Sequence, residues 1–125
     1  VKPRILVVDD DDGIRALYLT ELVRAGYEVA AVDSGGAAVA LASREKFAII
    51  ILDIEMPDMS GIEALSHLRR VSPDTPVILN TAYSNYKQDF QSWLADAYVL
   101  KSSDLEPLKH NIRKLIDPVE HQDQK

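Results

Sequence analysis

The chain reads as an α/β protein built on a parallel sheet, and three observations predict this. Short apolar runs alternate with amphipathic helical stretches along its length. One run, Phe47-Ala48-Ile49-Ile50-Ile51-Leu52, is apolar without alternation, as a strand covered on both faces must be, which puts it at the sheet centre. Four runs end in polar residues: Ile5-Leu6-Val7-Val8 in Asp9-Asp10, the central run in Asp53, Val77-Ile78-Leu79-Asn80 in Thr81, and Ala97-Tyr98-Val99-Leu100 in Lys101. In a parallel sheet these ends share the carboxyl edge, where open α/β sheets bind ligands.

The first strand spans residues 4–9. The first helix follows, with Ile14, Leu17, Tyr18, Leu22 and Ala25 at spacings of three and four, and Gly26 ends it as the residue after the cap. Glu28 to Val32 is the second strand. Ser34 caps the second helix, which turns Ala38, Leu41 and Ala42 inward. After the central strand and the loop Glu55-Met56-Pro57-Asp58-Met59, Ser60-Gly61-Ile62-Glu63 forms a capping box opening the third helix, with Ile62, Leu65 and Leu68 inward. Pro73 and Pro76 bracket the turn into the fourth strand. A fourth helix is expected over residues 85–95, with Phe90, Trp93 and Leu94 as its apolar face. The last helix starts near Asp104 as N-cap. That places Pro107, which lacks an N–H, at the third helical position, still in the first turn. Leu108, Ile112, Leu115 and Ile116 line its buried face and Pro118 stops it. Residues 1–117 are expected to form one domain, and 118–125 a polar tail or the start of a linker.

A length of 125 residues suits a single core without staples. Cysteine is absent, which excludes disulfides and thiolate chemistry and fits a reducing compartment, the cytoplasm. A net charge of −6 argues against direct nucleic-acid binding by this domain. No apolar run approaches the ~20 residues of a membrane span. The opening Val1-Lys2-Pro3-Arg4 has no signal-peptide pattern, and a start at Val fits a fragment of something longer. His67, His110 and His121 lack metal-ligand spacing. Gly35-Gly36 fits no phosphate-loop fingerprint. Asp10 to Glu21 has the length of a calcium loop but carries Arg15 where Gly is required.

If the first and third strands are neighbours, Asp9, Asp10 and Asp53 converge. Three carboxylates side by side raise each other's pKa, which a structural core would avoid. A divalent cation resolves the repulsion, and a site of carboxylates and water suits Mg²⁺, which also joins carboxylates to a phosphate. Asp53 is then the nucleophile toward a phosphoryl donor. Lys101 neutralises charge on the transferring oxygens and Thr81 hydrogen-bonds one of them. Alone, Asp9 to Asp12 reads equally well as a solvated helix cap. The coincidence of four strand ends favours the chemical reading.

These residues resemble the response regulator receiver domain, from Ile5 to about Ile116. The likeness rests on the acidic pair after the first strand, Asp53 followed by Met56-Pro57-Asp58-Met59-Ser60-Gly61, Thr81-Ala82, and Tyr98 with Lys101 three residues on. The resemblance implies a flavodoxin-like, doubly wound five-stranded sheet in the order 2-1-3-4-5 with five helices; that order is the family's. It makes Asp53 the phospho-acceptor, with Asp9, Asp10, Asp53 and the Glu55 carbonyl holding Mg²⁺, and Thr81 and Lys101 contacting the phosphoryl group. Thr81 and Tyr98 become the switch pair. A sensor histidine kinase or phosphotransfer protein is implied as donor, and a homodimer through the face of the fourth helix, fifth strand and fifth helix. Such a domain catalyses its own phosphorylation and slow dephosphorylation, so whether it is an enzyme is a matter of definition.

Three features depart from the family. Ser102 follows Lys101 where Pro in a cis bond is usual, so the loop is either trans and reshaped or strained, at about 2.5–4 kcal/mol for a cis bond before Ser. The stretch from Thr81 to Lys101 is slightly short, with Leu94 where Gly is favoured. Tyr83 is bulky where access of water to the acyl phosphate is controlled, which predicts slow self-hydrolysis. Two rivals stand beside this reading: a non-phosphorylated receiver-like dimerisation or binding module, and a haloacid-dehalogenase-like phosphatase with Asp9 as nucleophile and Asp11 as general acid. A flavin-binding domain lacks its phosphate loop after the first strand.

Overall fold

The computed structural model describes residues 2–82 and 95–117. Its strands are β1 (Arg4–Val8), β2 (Glu28–Val32), β3 (Ile49–Leu52), β4 (Val77–Thr81) and β5 (Ala97–Leu100). Its described helices are α1 (Asp12–Arg24), α2 (Gly35–Arg44), α3 (Gly61–Val71) and α4 (Glu106–Ile116). The sheet is parallel throughout in the order β2-β1-β3-β4-β5, with β3 at its centre as its unbroken apolar run requires. The expected helix over 85–95 lies outside the described residues but for Ala95, as do Tyr83, Pro118 and His121.

Alternation along the strands divides the core in two. Leu6, Val8, Ile50, Leu52 and Leu79 pack with Ala38 of α2 and Ala64, Leu65 and Leu68 of α3. Ile5, Val7, Ile49, Ile51 and Ile78 face the other way, against Tyr18 and Leu22 of α1 and Leu108 and Ile112 of α4. Full burial of each large aliphatic side chain contributes on the order of 1.5–3 kcal/mol, so helices are held on both faces of the sheet.

Helix ends follow their local chemistry. Asp11 Oδ1 accepts from Ile14 N, Ser34 Oγ from Ala37 N and Ser60 Oγ from Glu63 N. Gly26 takes φ +105° just past α1, a conformation L side chains rarely adopt.

The structure corrects several expectations. Leu17 is 43% exposed and Ala25 is exposed, because α1 carries apolar residues all round and only the Tyr18–Leu22 line faces the sheet. β3 begins at Ile49, two residues later than expected. Leu105, not Asp104, is the N-cap of α4, and Pro107 is its second residue. Asp104 Oδ1 instead closes a turn by accepting from Glu106 N at 3.1 Å. The bond between Lys101 and Ser102 is trans, as are all peptide bonds among the described residues. Ser102 Oγ accepts from Asp104 N, so the Ser hydroxyl shapes this loop.

Candidate functional site

The parallel register puts the ends of β1 and β3 together. Val8 pairs with Leu52, and Asp53 N donates to Val8 O at 2.9 Å. Asp9 and Asp53 are therefore neighbours, and both are buried, at 2% and 4% exposure. Asp10 is exposed beside them. One carboxylate oxygen from each of Asp9, Asp10 and Asp53 lies within 4.8 Å of the others. This all-oxygen set fits a hard divalent cation.

Lys101 reaches the same point from β5. Its Nζ lies 2.7 Å from Asp9 Oδ2 and 3.3 Å from Asp53 Oδ1. Its backbone N donates to Thr81 O at 2.7 Å, which ties it to the end of β4. Thr81 itself is wholly buried. Glu55 is exposed, and its N donates to Asp53 Oδ1 at 3.4 Å. Tyr98 is half-buried against the core face shared by α2 and α3.

Burial, then the charge of Asp9, pushes the Asp53 carboxyl up to about 6, while the Lys101 ammonium opposes them. For Lys101, burial alone lowers the pKa, but the hydrogen bond to Asp9 and the charges of Asp53 and Asp9 outweigh it, and the net shift is upward. The site thus holds a buried carboxylate beside the Lys101 ammonium. An open cleft of about 590 Å³ adjoins it, lined among others by Asp10, Glu55, Met56, Met59 and Ile62.

Asp11 has another task. Its Oδ1 caps α1 through Ile14 N at 3.0 Å, so the general acid required by the phosphatase alternative is engaged in holding a helix.

Four neighbours of the site escaped sequence reasoning as contributors. Arg15 Nη1 donates to Asp9 O at 2.7 Å and its Nη2 pairs with Asp12. Asp58 accepts from Gly35 N and Gly36 N, pinning the loop after Asp53 to α2. Tyr18 Oη donates to Asn80 Oδ1 at 2.7 Å in the core. Asn80 carried one legible cue, a polar residue closing an apolar strand. The Asp58 and Tyr18 partnerships join segments 22 or more residues apart, where spacing says nothing, whereas Arg15 bonds within its own neighbourhood, to Asp9 and Asp12.

Comparison with known proteins agrees with this geometry. The family model for the response regulator receiver domain matches residues 5–113. The regulatory protein AtoC of Escherichia coli (strain K12) is 34% identical over 115 residues, covering 90% of this chain and 25% of that protein. The chain thus spans about a quarter of that relative's length. The response regulator TrrA of Thermotoga maritima, solved in complex with Mg²⁺-BeF, superposes with a TM-score of 0.86 at 43% identity, covering 92% of this chain and 99% of that one. TrrA in complex with the histidine kinase ThkA gives a TM-score of 0.84 at 43% identity, covering 92% and 98%.

Proposed function

The chain belongs to the response regulator receiver domain family, and on that premise we propose that Asp53 accepts a phosphoryl group from the phosphohistidine of a sensor histidine kinase or a phosphotransfer protein. The observation that carries this is the convergence of Asp9, Asp10 and Asp53 on one point with the Lys101 ammonium 3.3 Å from Asp53. One Asp53 oxygen attacks phosphorus, the P–N bond to the donor imidazole breaks, and the imidazole leaves with a proton from solvent. Lys101 balances charge on the transferring oxygens, and Thr81 supplies a hydroxyl to one of them. Asp9, Asp10, Asp53 and the Glu55 carbonyl would hold Mg²⁺, which when bound offsets the negative charge of the acids and the phosphoryl group.

The consequence is a population shift: phosphate contacts favour one of two arrangements of Thr81 and Tyr98. We assign the readout to the face formed by β5 and α4, which also suits a homodimer contact; the helix expected over 85–95 to share in it lies outside the described residues but for Ala95. Residues 1–117 act as the switching unit, and the setting is the cytoplasm.

The test is incubation with Mg²⁺ and acetyl phosphate followed by intact-mass measurement. Wild type should gain one phosphoryl group and Asp53→Asn none. A wild type that stays unmodified, or a variant that gains phosphate equally, refutes the assignment.

A further inference from the structure

We propose that Tyr18 and Asn80 form a positioning brace that holds the end of β5, and with it Lys101, in place over Asp53 for phosphoryl transfer. This rests on the reading of Asp53 as phosphoryl acceptor.

A continuous hydrogen-bond chain crosses three elements. Tyr18 Oη of α1 donates to Asn80 Oδ1 of β4 at 2.7 Å, and Asn80 Nδ2 donates to Val99 O of β5 at 3.0 Å. Tyr18 and Asn80 are 3% and 2% exposed, and Tyr18 packs in one cluster with Ile5, Val7, Ile51 and Ile78. An apolar pair of the same shape would fill that space and leave only the Val99 carbonyl without this side-chain partner, at a cost of about 1–3 kcal/mol.

Their location suggests a task. Leu52 pairs with Leu79 and Asn80 with Val99. One step further along β3, Asp53 comes level with Asn80. Side chains alternate along a strand, so Asp53, Asn80 and Lys101 share the sheet face of Ile51, Ile78 and Val99. β5 is the edge strand, four residues long, with β4 as its single strand neighbour. Lys101 hangs from its end on a flexible stem. The brace ties that end through β4 to α1, the helix that follows Asp9 and Asp10. It also flanks both switch residues, since Asn80 precedes Thr81 and Val99 follows Tyr98. Burial raises the Tyr18 phenol's pKa and the Lys101 charge opposes the rise, so phenol and ammonium lie within electrostatic reach.

The deciding experiment compares wild type with the double variant Tyr18→Phe/Asn80→Leu, which removes both polar partners and keeps their bulk. Melting temperature, Mg²⁺ affinity and the rate of Asp53 phosphorylation by acetyl phosphate are measured on each. The brace predicts Mg²⁺ affinity near wild type, melting lowered only by the lost Val99 bond, and phosphorylation slowed about tenfold, the scale expected when a catalytic group is misplaced by a fraction of an ångström. A double variant phosphorylated at the wild-type rate overturns the brace and leaves the Asp53 reading standing. A slowed rate matched by lost Mg²⁺ affinity overturns it too, because the defect then lies in the acids. A wild type that gains no phosphate overturns the Asp53 reading and the brace together. Should the double variant not fold, Tyr18→Phe alone decides on the same rate criterion.

Discussion

Asp53 is held under local electrostatic tension. Its carboxylate is 4% exposed and sits next to Asp9, so its ionised form is disfavoured and its pKa rises from 3.8 to about 6. The folded state therefore binds this proton more tightly than the unfolded chain does. Above pH 6 the charged form opposes folding, and the penalty fades as pH falls from 6 toward 3.8. At 1.36 kcal/mol per unit, the rise corresponds to on the order of 2–3 kcal/mol at neutral pH. With a chelator present, Asp53→Asn should be more stable than wild type by that amount at pH 7.5, and the gap should close as pH falls through about 6. Chemical denaturation of both proteins across that range checks it; a gap independent of pH would show that Asp53 carries no such strain. Lys101 is what keeps the tension tolerable, with Nζ 2.7 Å from Asp9 and 3.3 Å from Asp53.

At the scale of elements, the loop from β3 to α3 is stitched down on both sides. Asp58 accepts from Gly35 N at 3.1 Å and Gly36 N at 2.9 Å, and these bonds, Gly36 first, hold its carboxyl below the ordinary range. A Cβ on Gly35 would run into the Met59 side chain, and one on Gly61 into the Asp53 carbonyl. The loop carrying Glu55 is thus set by contacts to α2 and α3. Supporting residues behind a metal site commonly carry about tenfold or more of its affinity. Asp58→Ala is accordingly expected to weaken Mg²⁺ binding roughly tenfold, while Asp58→Asn, which keeps one acceptor oxygen, should lose less. Isothermal titration with Mg²⁺ would show it, and equal affinities would mean the loop holds its shape without the clamp. The sequence made Asp53, the loop and the Ser60 cap legible, because each rests on local spacing. It was silent on Asp58 meeting α2 and on Tyr18 meeting Asn80, since those partners are 22 or more residues apart. It misplaced the start of α4 by one residue because Asp104 carries the side-chain oxygen a cap uses, while Leu105, the N-cap, makes no side-chain cap bond. An Asp that closes a turn two residues on resembles a cap in every respect the sequence displays.

For the whole molecule, the parallel order explains why function gathers at one edge. Every strand runs the same way, so the carboxyl ends of β1, β3, β4 and β5 bring Asp9, Asp10, Asp53, Thr81 and Lys101 to one side. The apolar strands and two-faced core made the α/β class legible from composition and pattern. The strand order needed family resemblance, because nothing in the spacing tells β1 to pair with both β2 and β3. A fold that concentrates acids this way should respond globally to the ion that relieves them. A cation that binds the native site and not the unfolded chain stabilises by mass action, about 2.7 kcal/mol at a hundred times Kd. For a chain of this size that raises Tm by on the order of 10 °C. Wild type should show this rise with saturating MgCl2 over an NaCl control of equal ionic strength, and Asp9→Asn and Asp53→Asn should lose most of it. The control matters because the net charge of −6 gives any salt a general screening effect. If Mg²⁺ and Na⁺ shift wild type and variants alike, the acids at 9, 10 and 53 take up no divalent ion and the metal reading fails.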